Sequence, residues 1–236
     1  MNILSGLYSP DSGSIYMENK RVDILSPKDA INKGIGMIHQ HFKLVEVLSA
    51  KENIIAGQGK NLFIKGKQLS EDIKEISNRY GLEIDPDKKV YDMSVAEKQR
   101  LEILKVLYRK AKILILDEPS AVLTPQETSK LFDILRKMKQ DGCSIIIITH
   151  KLNEVMEISD KVTVLRKGTV IKTVDKVSTT PRELTDMMVG RAVNLSIEKI
   201  KVDANYPLLN IKKLNIHGEE NKKILDDIDF ELKSGE

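Results

Sequence analysis

Short runs of β-branched residues alternate along the chain with longer amphipathic segments. Strands that are apolar on both faces and alternate with helices are typical of a parallel sheet covered by helices. The pattern therefore predicts an α/β fold with a layered parallel sheet. Four runs are the predicted strands: IGMIH at 35–39, ILIL at 113–116, SIIIIT at 144–149 and VTVLR at 162–166.

Four segments begin with a hydroxyl residue that is followed three positions later by glutamate. This is the pattern of a capping box, in which the two side chains satisfy free N–H groups at the start of a helix. Two of the segments also have proline at the first helical position, which favours the same interpretation. The four predicted helix starts are Ser49 with Glu52, Ser94 with Glu97, Thr124 with Glu127, and Thr180 with Glu183.

The patterning also predicts how the chain is divided. Residues 49–110 are mainly helical and charged, including an amphipathic helix that Gly81 ends, and we interpret them as a helical subdomain within a first domain at 1–190. Residues 191–207 are polar without a clear period, which is typical of a linker. Residues 208–236 alternate like a β-hairpin. Because a lone hairpin is marginally stable, we expect them to open a second, truncated domain.

The first residues raise a separate question. Ile3, Leu4 and Leu7 have the spacing of an apolar helical stripe, and residues 9–13 read as the turn that ends it. No capping residue precedes this stripe, although helices normally begin with one. The pattern predicts a helix whose start lies before Met1.

Composition narrows the function classes. The 236 residues carry a formal net charge of +3 with positive and negative residues interleaved, so a dedicated nucleic-acid surface is not indicated. The single cysteine, Cys143, excludes an internal disulfide, and its apolar neighbours predict a buried strand residue. The longest apolar run, 145–148, is far shorter than the ~20 residues of a membrane span. We expect a cytosolic protein, or one bound to a membrane through a partner.

Polar side chains follow three of the predicted strands. Gln40 comes after the first, Asp117 and Glu118 after the second, and His150 after the third. Because the carboxyl ends of parallel strands meet at one edge of a sheet, these side chains are expected to lie along one rim. Each alone has an ordinary explanation as a solvated turn, a helix cap or an inert histidine. Together they suit one metal ion and one attacking water.

These residues lie in segments that resemble the ATPases of ABC transporters. MSVAEKQRLEILKVLYRKAKILILDEPSAVLTPQE is similar to the run from the signature through Walker B to the D-loop, and IITHKLNE to the switch histidine. GMIHQHFKLVEVLSAKENI resembles the Q-loop segment. The resemblance covers 1–190 and restarts near 208. HQHFKLV, AVLTPQE, VLRKGTVI and MMVGR resemble tandem-domain ATPases of simple-sugar and nucleoside importers.

The resemblance implies a parallel-sheet P-loop NTPase core that uses ATP and Mg²⁺. Glu118 would be the catalytic base, Asp117 a magnesium ligand, Gln40 the Q-loop ligand of the metal, and His150 the contact to the γ-phosphate. The signature that closes on ATP held by a second ABC ATPase domain would comprise Ser94, Val95, Ala96 and Glu97, and Thr124 would fall in the D-loop. The family usually has glycine where Ala96 stands. The added methyl either hinders closure or merely favours the helix.

The phosphate-binding pattern G-x-x-x-x-G-K-[ST] occurs nowhere in the chain. The backbone nest and lysine that hold the β- and γ-phosphates are therefore missing. The resemblance implies a piece between two Walker A motifs, inactive alone, from an ATPase at the cytoplasmic face of the membrane. Its partners would be permease subunits and, indirectly, an extracellular solute-binding protein, with no nucleic acid. The alternative is a non-catalytic companion half that supplies signature and permease contacts to another ATPase.

Overall fold

The structure is a computed structural model that describes residues 1–57, 66–191, 206–218 and 223–234. The chain divides into two units, Met1–Met188 and Val189–Glu236. The predicted linker at 191–207 falls almost wholly outside the described residues. No helix in the described part of the chain is both long enough and apolar enough to span a bilayer.

A three-stranded parallel sheet lies at the centre of the first unit. Its strands are β3 (Ile35–Ile38), β4 (Ile113–Asp117) and β5 (Ser144–Ile148), in the order β3-β4-β5. Leu114 and Leu116 of the central strand are fully buried, as continuous apolar runs in a helix-covered parallel sheet should be. The predicted parallel-sheet α/β fold is confirmed.

The predicted capping boxes begin four helices. They open α2 (Ala50–Ile55), α4 (Val95–Tyr108), α5 (Pro125–Gln140) and α7 (Pro181–Val189). A further helix, α3 (Gly66–Tyr80), ends at Gly81, whose φ of +71° is a left-handed conformation that suits glycine. The crossover from β4 to β5 runs through α5, which makes these strands parallel neighbours. The main core lies between this sheet and helices α2 to α5.

The fourth predicted strand does not join the parallel sheet. Strand β6 (Lys161–Arg166) pairs antiparallel with β7 (Thr169–Asp175) in a separate two-stranded sheet. Its residues alternate in exposure, with Val164 buried and Leu165 exposed, which is the pattern of a one-sided antiparallel strand. The hairpin turn has positive φ at both of its central residues, a geometry that short β-hairpins favour.

The first residues are not a helix, contrary to the predicted stripe. They form a hydrogen-bonded turn, in which Ser5 N–H donates to the Met1 carbonyl and Leu7 N–H to the Asn2 carbonyl. Leu4 packs against the sheet, while Ile3 and Leu7 stay exposed. A few residues close too few hydrogen bonds to offset helix nucleation. The remaining elements before β3 are β1 (Ile15–Met17), β2 (Lys20–Val22) and α1 (Pro27–Asn32).

One further helix completes the first unit, and one hairpin lies in the described residues of the second unit. Helix α6 (Leu152–Ile158) follows β5. The hairpin pairs β8 (Pro207–His217) with β9 (Lys223–Lys233), antiparallel, as predicted for this segment. Cys143 directly precedes β5 and is half-buried rather than buried, because it lies outside the strand proper. Burial still raises the pKa of its thiol, which disfavours the reactive thiolate.

Candidate functional site

The carboxyl ends of the three parallel strands bring Glu118 together with Gln40 and His150. His150 Nδ1 lies 3.0 Å from Glu118 Oε1, and Gln40 Nε2 donates to Glu118 Oε2 at 3.5 Å. These residues are 32 and 78 positions from Glu118 in sequence. The sheet therefore gathers three of the side chains that the sequence predicted along one rim, with the Glu118 carboxylate between the other two.

Glu118 is held in a specific backbone conformation. Its φ of +46° lies in the left-handed region, which a non-glycine residue adopts only when its surroundings hold it there. Its N–H donates to the Ile148 carbonyl at 2.9 Å, and its own carbonyl accepts from Ala121 N–H at 3.1 Å. The Glu118 side chain remains 32% exposed and that of His150 67% exposed. The pair is thus anchored through the backbone while its polar atoms stay open to a ligand.

Asp117 ends strand β4 and stands opposite Ile148 in the register. Within the described ranges, no hydrogen bond or ion pair reaches its half-buried carboxylate. An unpaired carboxylate fits a hard divalent cation such as Mg²⁺, which prefers oxygen ligands and keeps several waters. No cluster of three or more His, Cys, Asp or Glu side chains with metal-ligand geometry occurs in the parts of the chain that are described. A cation at Asp117 would therefore need oxygens from a ligand or water.

A polar network built around the buried Ser120 and Glu154 lies next to Glu118 and His150, and sequence reasoning missed it. Ser120 Oγ donates to Glu154 Oε1 at 2.5 Å, and Lys151 Nζ donates to the Ser120 carbonyl at 2.8 Å. Thr149 Oγ1 donates to Glu154 Oε2 at 3.4 Å. The network connects the segment after Glu118 with the segment around His150. No local sequence signal could have shown this, because Ser120 and Glu154 are 34 residues apart.

Helix α4 is hydrogen-bonded to two segments that follow candidate residues. Gln99 Nε2 donates to the Pro119 carbonyl at 2.7 Å, directly after Glu118. Lys43, three residues after Gln40, donates its N–H to the buried Glu102 carboxylate at 3.0 Å, and its carbonyl accepts from Lys105 Nζ at 3.1 Å. Burial lowers the pKa of Lys105, and the nearby Glu102 carboxylate only partly offsets this.

The predicted signature residues lie at the start of the same helix. Ser94 and Val95 are exposed, whereas Ala96 is half-buried. Glu97 is engaged in the capping box through Ser94 N–H at 2.8 Å and in an ion pair with Lys88 at 2.6 Å. Burial alone would raise the pKa of Glu97, but the hydrogen bonds from Lys88 and Ser94 outweigh it and leave the pKa below its ordinary value. Glu97 thus acts as a helix cap in this structure.

Thr124 is likewise part of a capping box. Its Oγ1 accepts from Glu127 N–H at 3.3 Å, and its own N–H donates to the Glu127 carboxylate at 2.9 Å. Across the described residues, no hydrogen bond joins Thr124 or the segment 94–97 to Gln40, Glu118 or His150. The structure therefore brings together the strand-end residues and leaves the signature and D-loop residues on separate helix starts.

Comparison with known proteins gives consistent results. A family model described as ABC transporter matches residues 1–121. The chain is 44% identical over 238 residues to the nucleoside import ATP-binding protein NupA of Lactococcus lactis, covering 100% of this chain and 47% of that protein. It is 45% identical over 238 residues, with the same coverage, to the guanosine import ATP-binding protein NupO of Bacillus subtilis.

A solved structure with a similar fold is also an ATP-binding cassette. The ADP conformation of MJ1267, an ATP-binding cassette of an ABC transporter, superposes with a TM-score of 0.66 at 22% identity, covering 78% of this chain and 76% of that one. At this identity the match shows the cassette fold. The chain spans about half the length of the curated relatives that it matches.

Proposed function

Since the chain belongs to the ABC transporter family, we propose that the rim of its parallel sheet carries the residues of an ATP hydrolysis site. The observation that carries this proposal is the position of Glu118, within hydrogen-bonding distance of both Gln40 and His150 and next to the unpaired Asp117. An exposed carboxylate in this setting can accept a proton from an attacking water. A general base must lie within direct reach of its proton donor, which in this proposal is a water bound next to Glu118.

Each rim residue has a distinct role in the proposal. Glu118 orients the water and takes its proton, and His150 contacts the terminal phosphate of ATP through the ring nitrogen that does not face Glu118. Asp117 and the Gln40 amide oxygen would hold Mg²⁺, which when bound neutralises charge on the phosphates. The Gln40 amide nitrogen meanwhile donates to Glu118, so this one side chain connects the metal side of the site with the base.

The helix starts form the second part of the proposal. Ser94, Val95 and Ala96 present an exposed or half-exposed helix N-terminus, the kind of surface that accepts a phosphate through free N–H groups. We assign this surface, with Glu97 as its cap, to ATP held by a second ABC ATPase domain, and we place Thr124 in the D-loop that follows Glu118. In this scheme residues 1–190 belong to one such domain, with its helical subdomain at 49–110, and residues 208–236 to the next.

The wider role is an import ATPase. Relatives named for nucleoside and guanosine import support nucleosides as the substrate class, and others named for ribose, galactose or glucose import support simple sugars. The chain would act with permease subunits at the cytoplasmic face of the membrane and, through them, with an extracellular solute-binding protein.

The test measures Mg²⁺-dependent ATP turnover in two forms of the protein. The 236-residue chain alone should hydrolyse ATP no faster than buffer, because phosphoryl transfer depends on the missing phosphate loop. A chimera that places the phosphate-loop segment of NupA ahead of Met1 should turn over ATP. Glu118→Gln in that chimera should reduce turnover roughly 10²–10⁴-fold while ATP binding persists. His150→Ala should also be severely impaired.

Glu157→Gln is the matched control, since Glu157 is an exposed glutamate that pairs with Arg136 away from the rim. It should leave turnover unchanged. Turnover that survives Glu118→Gln would contradict the assignment of the base. A chimera that binds ATP but never hydrolyses it would favour the companion-half function instead.

A further inference from the structure

Ser120, Lys151 and Glu154 form a polar cluster, here called the Glu154 network, beside the proposed hydrolysis site. Ser120 and Glu154 are buried, whereas the Lys151 side chain is 41% exposed. Ser120 is 1% exposed and Glu154 9% exposed. The Glu154 carboxylate accepts from Ser120 Oγ at 2.5 Å and pairs with Lys151 Nζ at 3.2 Å. Lys151 Nζ also donates to Ser120 Oγ at 3.1 Å, so each member of the network contacts the other two.

The network joins two loops that each carry a rim residue. Ser120 is two positions after Glu118, and Lys151 is the residue after His150. Apart from the network, the backbone bond from Glu118 N–H to the Ile148 carbonyl also ties these loops together. A buried carboxylate with partners on both loops therefore restrains the distance between the two side chains that meet at 3.0 Å.

The position of Glu154 on its helix shows that it does more than cap α6. Lys151 is the N-cap of this helix and makes no side-chain capping bond, and Glu154 stands three residues later. At the same position in the four capping boxes, glutamate returns to the N–H of its own cap residue. Glu154 does not, because the Lys151 N–H donates to Thr149 Oγ1 at 3.0 Å. Its carboxylate instead reaches Ser120 across the sheet edge.

Burial makes this arrangement costly to disturb. A buried carboxylate or ammonium that loses its partner keeps its desolvation penalty without compensation. The buried Glu154 carboxylate has partners on both loops and therefore restrains their geometry, and a shift of about 1 Å in such geometry can change a catalytic rate substantially. We propose that Glu154 is a positioning residue, which holds Glu118 and His150 in hydrogen-bonded contact by tying Ser120 to Lys151. Its relevance to catalysis rests on the proposed hydrolytic function.

The test observes the contact itself, without ATP. In the full 236-residue chain with ¹⁵N-labelled histidine, the Nδ1 resonance of His150 reports its contact with Glu118, and Glu118→Ala defines the resonance when the contact is lost. Glu154→Ala should move the His150 resonance most of the way to that reference position. Glu154→Gln should restore much of the original position, since its amide oxygen still accepts from the Ser120 hydroxyl. Glu157→Ala, on the same helix but exposed, should leave the resonance in place.

The possible results distinguish a residue that positions His150 and Glu118 from one that only stabilises the fold. A lower unfolding midpoint for Glu154→Ala with an unmoved His150 resonance would overturn the proposal, because Glu154 would then stabilise the fold without holding the contact. If Glu154→Ala does not fold, Ser120→Ala removes only a hydroxyl and decides the matter by the same resonance. A moved resonance, together with turnover in the chimera that is insensitive to Glu118→Gln, would retain the positioning role and reject the hydrolytic assignment.

Discussion

The parallel sheet of the first unit and the β8–β9 hairpin of the second unit both contain large apolar residues, but these residues differ in how far they are buried. In the sheet, Leu114 and Leu116 are fully buried beneath helices. In the hairpin, Leu209 is 46% and Phe230 50% exposed. A leucine in the sheet therefore contributes more to stability than a leucine in the hairpin, because hydrophobic stabilisation follows the apolar area removed from water.

The polar groups of the two regions differ as well. The sheet collects its polar side chains at one end, where Glu118 meets Gln40 and His150. The hairpin uses polar side chains to satisfy backbone groups at its irregularities, with Lys213 N–H donating to Asp229 Oδ1 at 2.7 Å and Asp227 N–H to Asn215 Oδ1 at 3.0 Å. Polar side chains thus gather at one end of the sheet, whereas in the hairpin they bond to the backbone of the hairpin itself.

The largest expected effect comes from removing a buried side chain of the sheet. Leu116→Ala should lower the free energy of unfolding of the first unit by about 2–5 kcal/mol, because the lost apolar contacts leave a cavity in a close-packed core. Leu209→Ala, at a half-exposed hairpin position, should change stability by no more than ~0.5 kcal/mol. Native-state hydrogen exchange measures both units separately. Equal effects of the two substitutions would contradict the contrast drawn between the regions.

A second substitution tests how tightly a helix covers the sheet. A Cβ on Gly36 of strand β3 would lie 2.6 Å from Cγ1 and 3.1 Å from Cγ2 of Val106 in α4. Valine in a helix cannot rotate away easily, so Gly36→Ala should destabilise the first unit by about 1–3 kcal/mol in urea unfolding. Val106→Ala in the same chain should recover part of that loss by removing both methyl groups. Failure of the double variant to recover any stability would show that another contact limits the site.

The smallest effect concerns the capping boxes, which belong to the helices and have no counterpart in the described hairpin. The Ser49 N–H and hydroxyl lower the pKa of Glu52 from its ordinary value of 4.5 to about 2. A carboxylate with a lowered pKa contributes stability that is present above the ordinary value and is lost as pH falls toward the lowered one. The free energy of unfolding of the wild type should therefore exceed that of Glu52→Gln by on the order of 1 kcal/mol at pH 6. The difference is no larger because the Glu52 side chain is half-exposed and solvent screens its interactions.

That difference should shrink as the pH falls from about 5 to 2, measured by urea unfolding across the range. Glu83→Gln, at an exposed position outside the capping boxes, is the matched control. Hydrogen exchange in the hairpin should be the same in both variants. A constant difference between wild type and Glu52→Gln at every pH would mean that the Ser49 contacts do not favour the charged carboxylate.

The sequence determined most elements whose signals are local. All four capping boxes form, because a hydroxyl and a glutamate three residues apart meet whenever the segment is helical. Strands β3, β4 and β5 lie within one residue of their predicted bounds, since continuous β-branched runs suit a buried sheet. The short elements were missed or misread: β1, β2, α1 and α6 carry weak periodicity, and the predicted initial helix is only a turn.

The sequence by itself also determined which residue types follow the strands, and hence the rim formed by Gln40, Glu118 and His150. Only the tertiary structure decided that β6 leaves the parallel sheet to pair with β7, and that Glu154 turns away from its own helix start toward Ser120. The physical reason is the range of the interactions. Caps and strand propensities act between neighbours in the chain, whereas sheet pairing and the Ser120–Glu154 hydrogen bond depend on segments that meet only when the chain is folded.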